Sequence, residues 1–171
     1  MLTNSDILIR LLIAAVLGGV IGLERERSHK VAGLRTHLLV SLGSALLALI
    51  SIYLYESFPS VNGVSGFDYH IIANVIVGIG FIGGGAIMRH GSRVIGTTTA
   101  ATLWAVATLG MAAGLGFYYG AIITAFIVYF VLTVLWRVEK KLMHKEGRAE
   151  EFFIDERRPV KEDGQINVHD S

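Results

Sequence analysis

The sequence predicts an all-α polytopic membrane protein with five transmembrane helices, its N-terminus outside and its C-terminus in the cytoplasm. Three observations carry that expectation. The 171 residues are 53% hydrophobic and only 17% charged, against about 25% charged in a soluble domain. Five apolar stretches, at 7–23, 36–55, 71–88, 97–115 and 117–136, reach the roughly 17 to 25 residues that a spanning helix needs. The basic residues sit in alternate connections, which is the positive-inside pattern.

The first stretch opens on MLTNSDILIRLL, which lacks the basic n-region of a cleaved signal and is expected to be retained. It carries Gly18 and Gly22, a GxxxG face that lets membrane helices approach closely. The next connection holds Arg25, Arg27, Lys30 and Arg35. Connection 56–70 has no basic residue, 89–96 has Arg89 and Arg93, the 114–120 turn has none, and the tail from 137 has eight. In the second stretch His37, Ser41, Ser44, Ala48, Ser51 and Tyr55 follow a 4-3-4-3-4 spacing on one helix face. That stripe is either a packing seam or a polar path. Packing is preferred, because hydroxyl groups gain little hydrogen-bond energy in a bilayer.

The third stretch reads ANVIVGIGFIGGGAIM. Gly78, Gly80 and Gly83 match the GxGxxG dinucleotide fingerprint, but they lie inside an apolar span, and no acidic residue occurs between Asp68 and Glu139 to hold a ribose. Gly80 and Gly84 instead form a second GxxxG face. With Gly85 the glycines are dense enough to permit a kink or a broken helix lining a cavity; close packing is the preferred reading. Asn74 lies one turn before Gly78. Thr97, Thr98, Thr99 and Thr102 open the fourth stretch, where threonines are expected to act as caps. The 40 residues from Thr97 to Trp136 make two spans that turn at GLGFYYG. Residues 1–136 thus form the membrane domain. The tail 137–171 is expected to run on as a basic amphipathic helix on the membrane surface and then become disordered.

Two features cut across these elements. With an offset of 63, Gly22, Val31, Gly33 and Thr36 match Gly85, Val94, Gly96 and Thr99. This faint echo implies a parallel repeat of two helical hairpins with connections of equal length. The segment GLERERSHKVAGLRTH, residues 22–37, concentrates charge between two spans. If the first helix continues past Leu23, Glu26 and Lys30 form an i,i+4 pair and Glu24 and Arg27 an i,i+3 pair. Arg35 in the first turn of a helix opposes the macrodipole and calls for a counter-charge: Glu24, Glu26, a lipid phosphate or a bound anion. Anchoring accounts for Arg25, Arg27 and Lys30. Glu24, Arg35 and His37 are where chemistry is expected.

RLLIAAVLGGVIGLERERSHKVAGLRTHLLVSLGSAL, together with GIGFIGGGAIMRHGSRVIGTTTAATLWAVATLGMAAGLG, resembles the MgtC/SapB family of bacterial inner-membrane proteins, from about Arg10 to Gly116. The resemblance implies a five-span protein associated with low magnesium, acid stress and survival inside macrophages. It also implies a link to restraint of the F-type ATP synthase, and a proposed role in magnesium transport. By motif it points to Glu24, Arg25, Arg27, Gly33, Arg35, Thr36 and His37, and to Gly80, Gly83, Gly84, Gly96, Thr98, Thr99 and Trp104. The resemblance looks closer to the short SapB-like branch, so a C-terminal ACT-like domain like that of the virulence-type members is not expected.

An enzyme is not expected. The histidines at 29, 37, 70, 90, 144 and 169 have no metal-ligand spacing, and HExxH, P-loop and GxSxG motifs are missing. No cofactor, no metal and no nucleic-acid partner is expected. Two functions fit. One is a homo-oligomeric regulator in the inner membrane that docks a partner helix, or another copy, on its glycine faces. The other is a small oligomeric transporter or channel for magnesium, protons or another small solute. Magnesium favours oxygen ligands, often carboxylates; Glu56 and Asp68 on one side and Glu24 and Glu26 on the other leave none at the midplane.

Overall fold

A computed structural model of the protein describes residues 2–57, 69–90 and 93–138. Within them lie five helices: α1 (Asn4–Arg27), α2 (Leu34–Ser57), α3 (Tyr69–Gly85), α4 (Thr97–Gly114) and α5 (Tyr118–Phe130). The last runs on through a π-helical turn, Val131–Leu135. The tail from 139 and most of the 56–70 connection lie outside the described residues, and with them the expected surface helix and disordered end.

Local chemistry places each boundary. Thr3 and Asp6 form a capping box that starts α1. The helix outlasts its apolar stretch because ERER is made of good helix formers that remain at ease in water. It closes at Ser28, whose N–H donates to the Glu24 carbonyl at 2.9 Å. Six residues later α2 begins. Its first N–H, on Leu34, donates to the Glu26 carboxylate at 3.2 Å, so an acidic side chain of α1 caps α2 and supplies negative charge at its N-terminus.

The second hairpin is built differently. Helix α3 stops at Gly85, three residues short of the expected limit, because successive glycines at 83–85 carry a high entropic cost in a helix. Met88–His90 and Arg93–Ile95 then pair antiparallel, with Met88 opposite Ile95, a small ribbon that hydropathy alone does not reveal. Gly96 leads into α4 with φ 88. The connections therefore span residues 28–33 and 86–96 and are not equal in length, contrary to the echo. The expected threonine caps are not used either: Gly96 is the N-cap of α4, with no side-chain hydrogen bond.

Helix α4 is the centre of the bundle and touches all four other helices. Ten of its residues are buried. Helices α1, α2 and Tyr118–Val138 are long and apolar enough to cross a membrane; the apolar part of α3, Ala73–Gly85, is shorter. The threonines, alanines and glycines of α4 make it less apolar, because its neighbours surround it. On α1, Leu8, Leu12, Val16 and Val20 form an exposed stripe at i, i+4 spacing, the pattern of a lipid-facing side. Two small cores sit on the opposite side. Ala14, Ala45 and Ala113 join α1, α2 and α4; Ile21, Val106, Leu109, Ala121 and Leu132 join α1, α4 and α5.

Candidate functional site

His37, Ser41 and Ala48 of the α2 stripe face into the α1–α2–α4 junction, whereas Ser44 lines a groove toward α3 and Tyr55 is half exposed. A Cβ on Gly18 would lie 2.6 Å from the Ser41 Cβ and 2.9 Å from the His37 carbonyl; one on Gly22 would lie 2.8 Å from the His37 Cβ. From the other side, a Cβ on Gly110 would strike the backbone of Ser41, and one on Gly114 that of Ala45. Backbones meet backbones at all four positions. Gly110 and Gly114 were not among the expected faces, although the GMAAG spacing is the same GxxxG signal.

The polar groups in this junction satisfy one another. Ser41 Oγ donates to the Ala14 carbonyl at 2.7 Å. His37 is fully buried. Its Nδ1 lies 2.8 Å from the Gly33 carbonyl, which can only accept, so Nδ1 carries a proton. Its Nε2 lies 3.3 Å from Thr102 Oγ1, and that hydroxyl donates to the Thr99 carbonyl at 2.8 Å. If the hydroxyl keeps that bond it accepts from a protonated Nε2; if it turns, it donates to a neutral ring. One hydroxyl rotation thus accompanies one proton. The Thr99 hydroxyl is buried without a partner among the described residues, and Thr102, outside the expected site set, is the residue that links α4 to His37.

The charged hairpin divides differently from the sequence expectation. Arg25 is the buried cation. Its Nε meets Glu24 Oε2 at 2.5 Å, and Ser28 Oγ donates to Glu24 Oε1 at 2.8 Å. Glu24 thus pairs with its neighbour rather than with Arg27. Arg27 and Arg35 are exposed and Thr36 is half-buried. Glu24, Arg35 and His37 do not form one cluster; Arg25 takes the place that Arg35 was expected to fill. Gly33 lies against Glu26, where a Cβ would collide with the capping carboxylate, and a Cβ on Gly96 would collide with the Ala86 carbonyl.

On α3 the picture reverses. Among the described residues a Cβ at Gly78, Gly80, Gly84 or Gly85 would meet nothing within 4 Å, and of the α3 glycines Gly83 alone touches another helix, at Ala100 of α4. Asn74 and Thr98 are exposed, and Trp104 is half exposed. A groove of about 580 Å³ runs between α2 and α3, with Gly43, Ser44, Asn74 and Gly78 along it. Phe81, beside the glycines, is 87% exposed.

At the opposite end from the charged hairpin, Arg10 donates from Nη1 to the Gly114 carbonyl at 2.7 Å. This places a cation at the C-terminus of α4, where the macrodipole favours it. No sequence signal beyond an arginine inside a span marked it. Among the described residues no group of three or more His, Asp or Glu side chains could hold a metal ion.

The sequence profile of the MgtC family matches residues 11–141. The chain is 39% identical over 142 residues to the protein named "Putative magnesium transporter YhiD" of Escherichia coli strain K12, covering 83% of this chain and 66% of that protein. It is 41% identical over 139 residues to protein SapB of Bacillus subtilis strain 168, covering 80% and 60%. It is 40% identical over 121 residues to protein MgtC of Salmonella typhimurium strain LT2, covering 71% and 48%. The chain therefore spans between about half and two thirds of the length of these relatives. No solved structure matches it.

Proposed function

The chain belongs to the MgtC family, and from that premise we propose that it is a five-span protein of the bacterial inner membrane that regulates a membrane partner by helix contact. The contact surface is the open Gly80–Gly84 face of α3. The observation that carries this reading is the contrast between the two sets of glycines. Gly18, Gly22, Gly110 and Gly114 are consumed within the bundle, whereas Gly80 and Gly84 have nothing against them. A GxxxG face lets a second helix approach to backbone contact, with small residues on the axis and large ones beside it; Val77 and Phe81, both exposed, lie on that side of α3. A role in low-magnesium or acid stress belongs to the same reading and is supported by the family.

Pull-down of the full-length chain from native membranes tests this, with identification of the co-purified protein. Gly80→Leu with Gly84→Leu should abolish the complex while leaving the bundle folded, since a Cβ at either position would meet nothing within 4 Å among the described residues. An unchanged complex would remove α3 as the contact.

Ion transport is the second reading, prompted by the name of the Escherichia coli relative. The polar stripe that would line a path is filled by α1 and α4 at Gly18, Gly22 and Gly110, which favours the first reading. Magnesium, potassium and proton flux in liposomes containing the purified protein separates the two; flux of any of them with the α3 variants as well as the parent would favour transport.

A further inference from the structure

Between the ends of α1 and α5 lies a cavity of about 300 Å³ that the helix-contact reading does not use. This is near the lower limit of the roughly 300 to 1,000 Å³ of small-ligand sites. Val20, Leu23 and Tyr129 give it an apolar lining, beside Glu24, Arg27, Ser28, Thr133, Trp136 and Arg137. The charge at the mouth is one-sided. Both oxygens of Glu24 are engaged, by Arg25 and by Ser28. Arg27 and Arg137 are exposed, and neither makes an ion pair among the described residues.

The wall on α5 is made by the π-helical turn. There Thr133 Oγ1 donates back to the Tyr129 carbonyl at 2.8 Å. The extra residue of a π turn shifts the residues after it by about one position, roughly 100° around the axis. That shift brings Trp136 and Arg137 round to the side of α1 that carries Arg27. Such turns are frequent at functional sites.

We propose that this cavity binds a phosphate ester, held by the guanidinium groups of Arg27 and Arg137. Arginine pairs with phosphate through parallel N–H bonds. An apolar lining beside two arginines, with a tryptophan among them, suits an amphiphile that enters from the bilayer. An anionic phospholipid headgroup and a soluble phosphate share the recognition chemistry, and the experiment distinguishes them.

The full chain, purified and exchanged into mixed phosphatidylglycerol and phosphatidylcholine, is examined by native mass spectrometry. The parent should retain phosphatidylglycerol in preference to phosphatidylcholine. Arg27→Gln with Arg137→Gln should weaken that retention roughly thirtyfold, from about 1 kcal/mol per basic residue at a lipid surface. Arg35→Gln with Arg89→Gln, two exposed arginines of the same end that do not line the cavity, should leave it unchanged. In a second arm the chain in phosphatidylcholine alone is titrated with inorganic phosphate; binding there that Arg27→Gln with Arg137→Gln abolishes, without a phosphatidylglycerol preference, assigns the site to soluble phosphate. An equal loss in both pairs of variants, or no binding in either arm, overturns the proposal. Unchanged tryptophan emission from Trp104 and Trp136 guards against misfolding as the cause of a loss.

Discussion

Adding a single methyl group should have opposite effects at two glycines of this chain. At Gly18 an alanine Cβ would lie 2.6 Å from the Ser41 Cβ and 2.9 Å from the His37 carbonyl, about 1 Å inside the optimum of roughly 3.5 to 4.0 Å. Neither neighbour can yield easily. Ser41 is pinned through its hydroxyl to Ala14 at 2.7 Å, and its backbone rests against Gly110 of α4. Helices α1 and α2 must therefore move apart, which forfeits contacts along the seam. Overpacking of a tight core costs about 1 to 3 kcal/mol, and this position belongs at the upper end. At Gly80 the same methyl group meets nothing within 4 Å, and alanine is about 1 kcal/mol better than glycine inside a helix. Gly80→Ala should be neutral or mildly stabilising. Denaturant titration of the purified chain in detergent micelles, read by tryptophan emission, gives both values. Equal stability of Gly18→Ala and the parent, or a loss at Gly80→Ala as large as that at Gly18→Ala, would refute the account of which glycines hold the bundle together.

The other expectations rest on single contacts. Arg10→Met removes a charge-assisted bond to the end of α4 and should cost about 1 to 2 kcal/mol in the same titration. His37→Ala leaves a cavity in the seam, removes the ring bond to the Gly33 carbonyl and leaves that carbonyl only the backbone N–H of residue 37, for a loss of about 2 to 4 kcal/mol. Gly33→Ala pushes the Glu26 carboxylate off the first N–H of α2 and should cost about 1 kcal/mol, the usual worth of a cap. With Glu26→Ala already present, that loss should largely vanish, and a double-mutant cycle reads the coupling. Gly96→Ala forces a left-handed backbone onto a residue with a Cβ and drives that Cβ into the Ala86 carbonyl, so proteolysis at the 86–96 connection should accelerate.

The helices were legible because apolar stretches and charged breaks are properties of composition. The inner arrangement was less so, since hydropathy reports contact with lipid rather than position in a bundle. Helix α4 is the clearest instance: its threonines and glycines lower its hydropathy because it lies at the centre. Arg25 shows a different gap. Its burial is encoded in helical phase, since Ala14, Gly18, Gly22 and Arg25 follow a 4-4-3 spacing and all are buried. Tracing the Gly18–Gly22 face one turn further would have selected it over Arg35. Gly110 and Gly114 carry the same GxxxG motif in plain sight. Whether a GxxxG face closes inside the chain or stays open depends on which helices become neighbours, so nothing local distinguishes Gly18 and Gly22 from Gly80 and Gly84. The ribbon at 88–95 and the hydrogen bond from Arg10 to Gly114 likewise rest on tertiary proximity.

The chain contains no cysteine, so a single introduced thiol reports one position cleanly. Phe81→Cys, on the open face of α3, and Ala113→Cys, in the buried α1–α2–α4 core, are compared by cross-linking in native membranes. Contact through α3 predicts a discrete cross-linked product for Phe81→Cys, lost when Gly80→Leu and Gly84→Leu are added, and none for Ala113→Cys. If Phe81→Cys reacts freely with a lipid-soluble thiol reagent yet gives no cross-linked product, α3 faces lipid alone and the proposed mode of action is wrong.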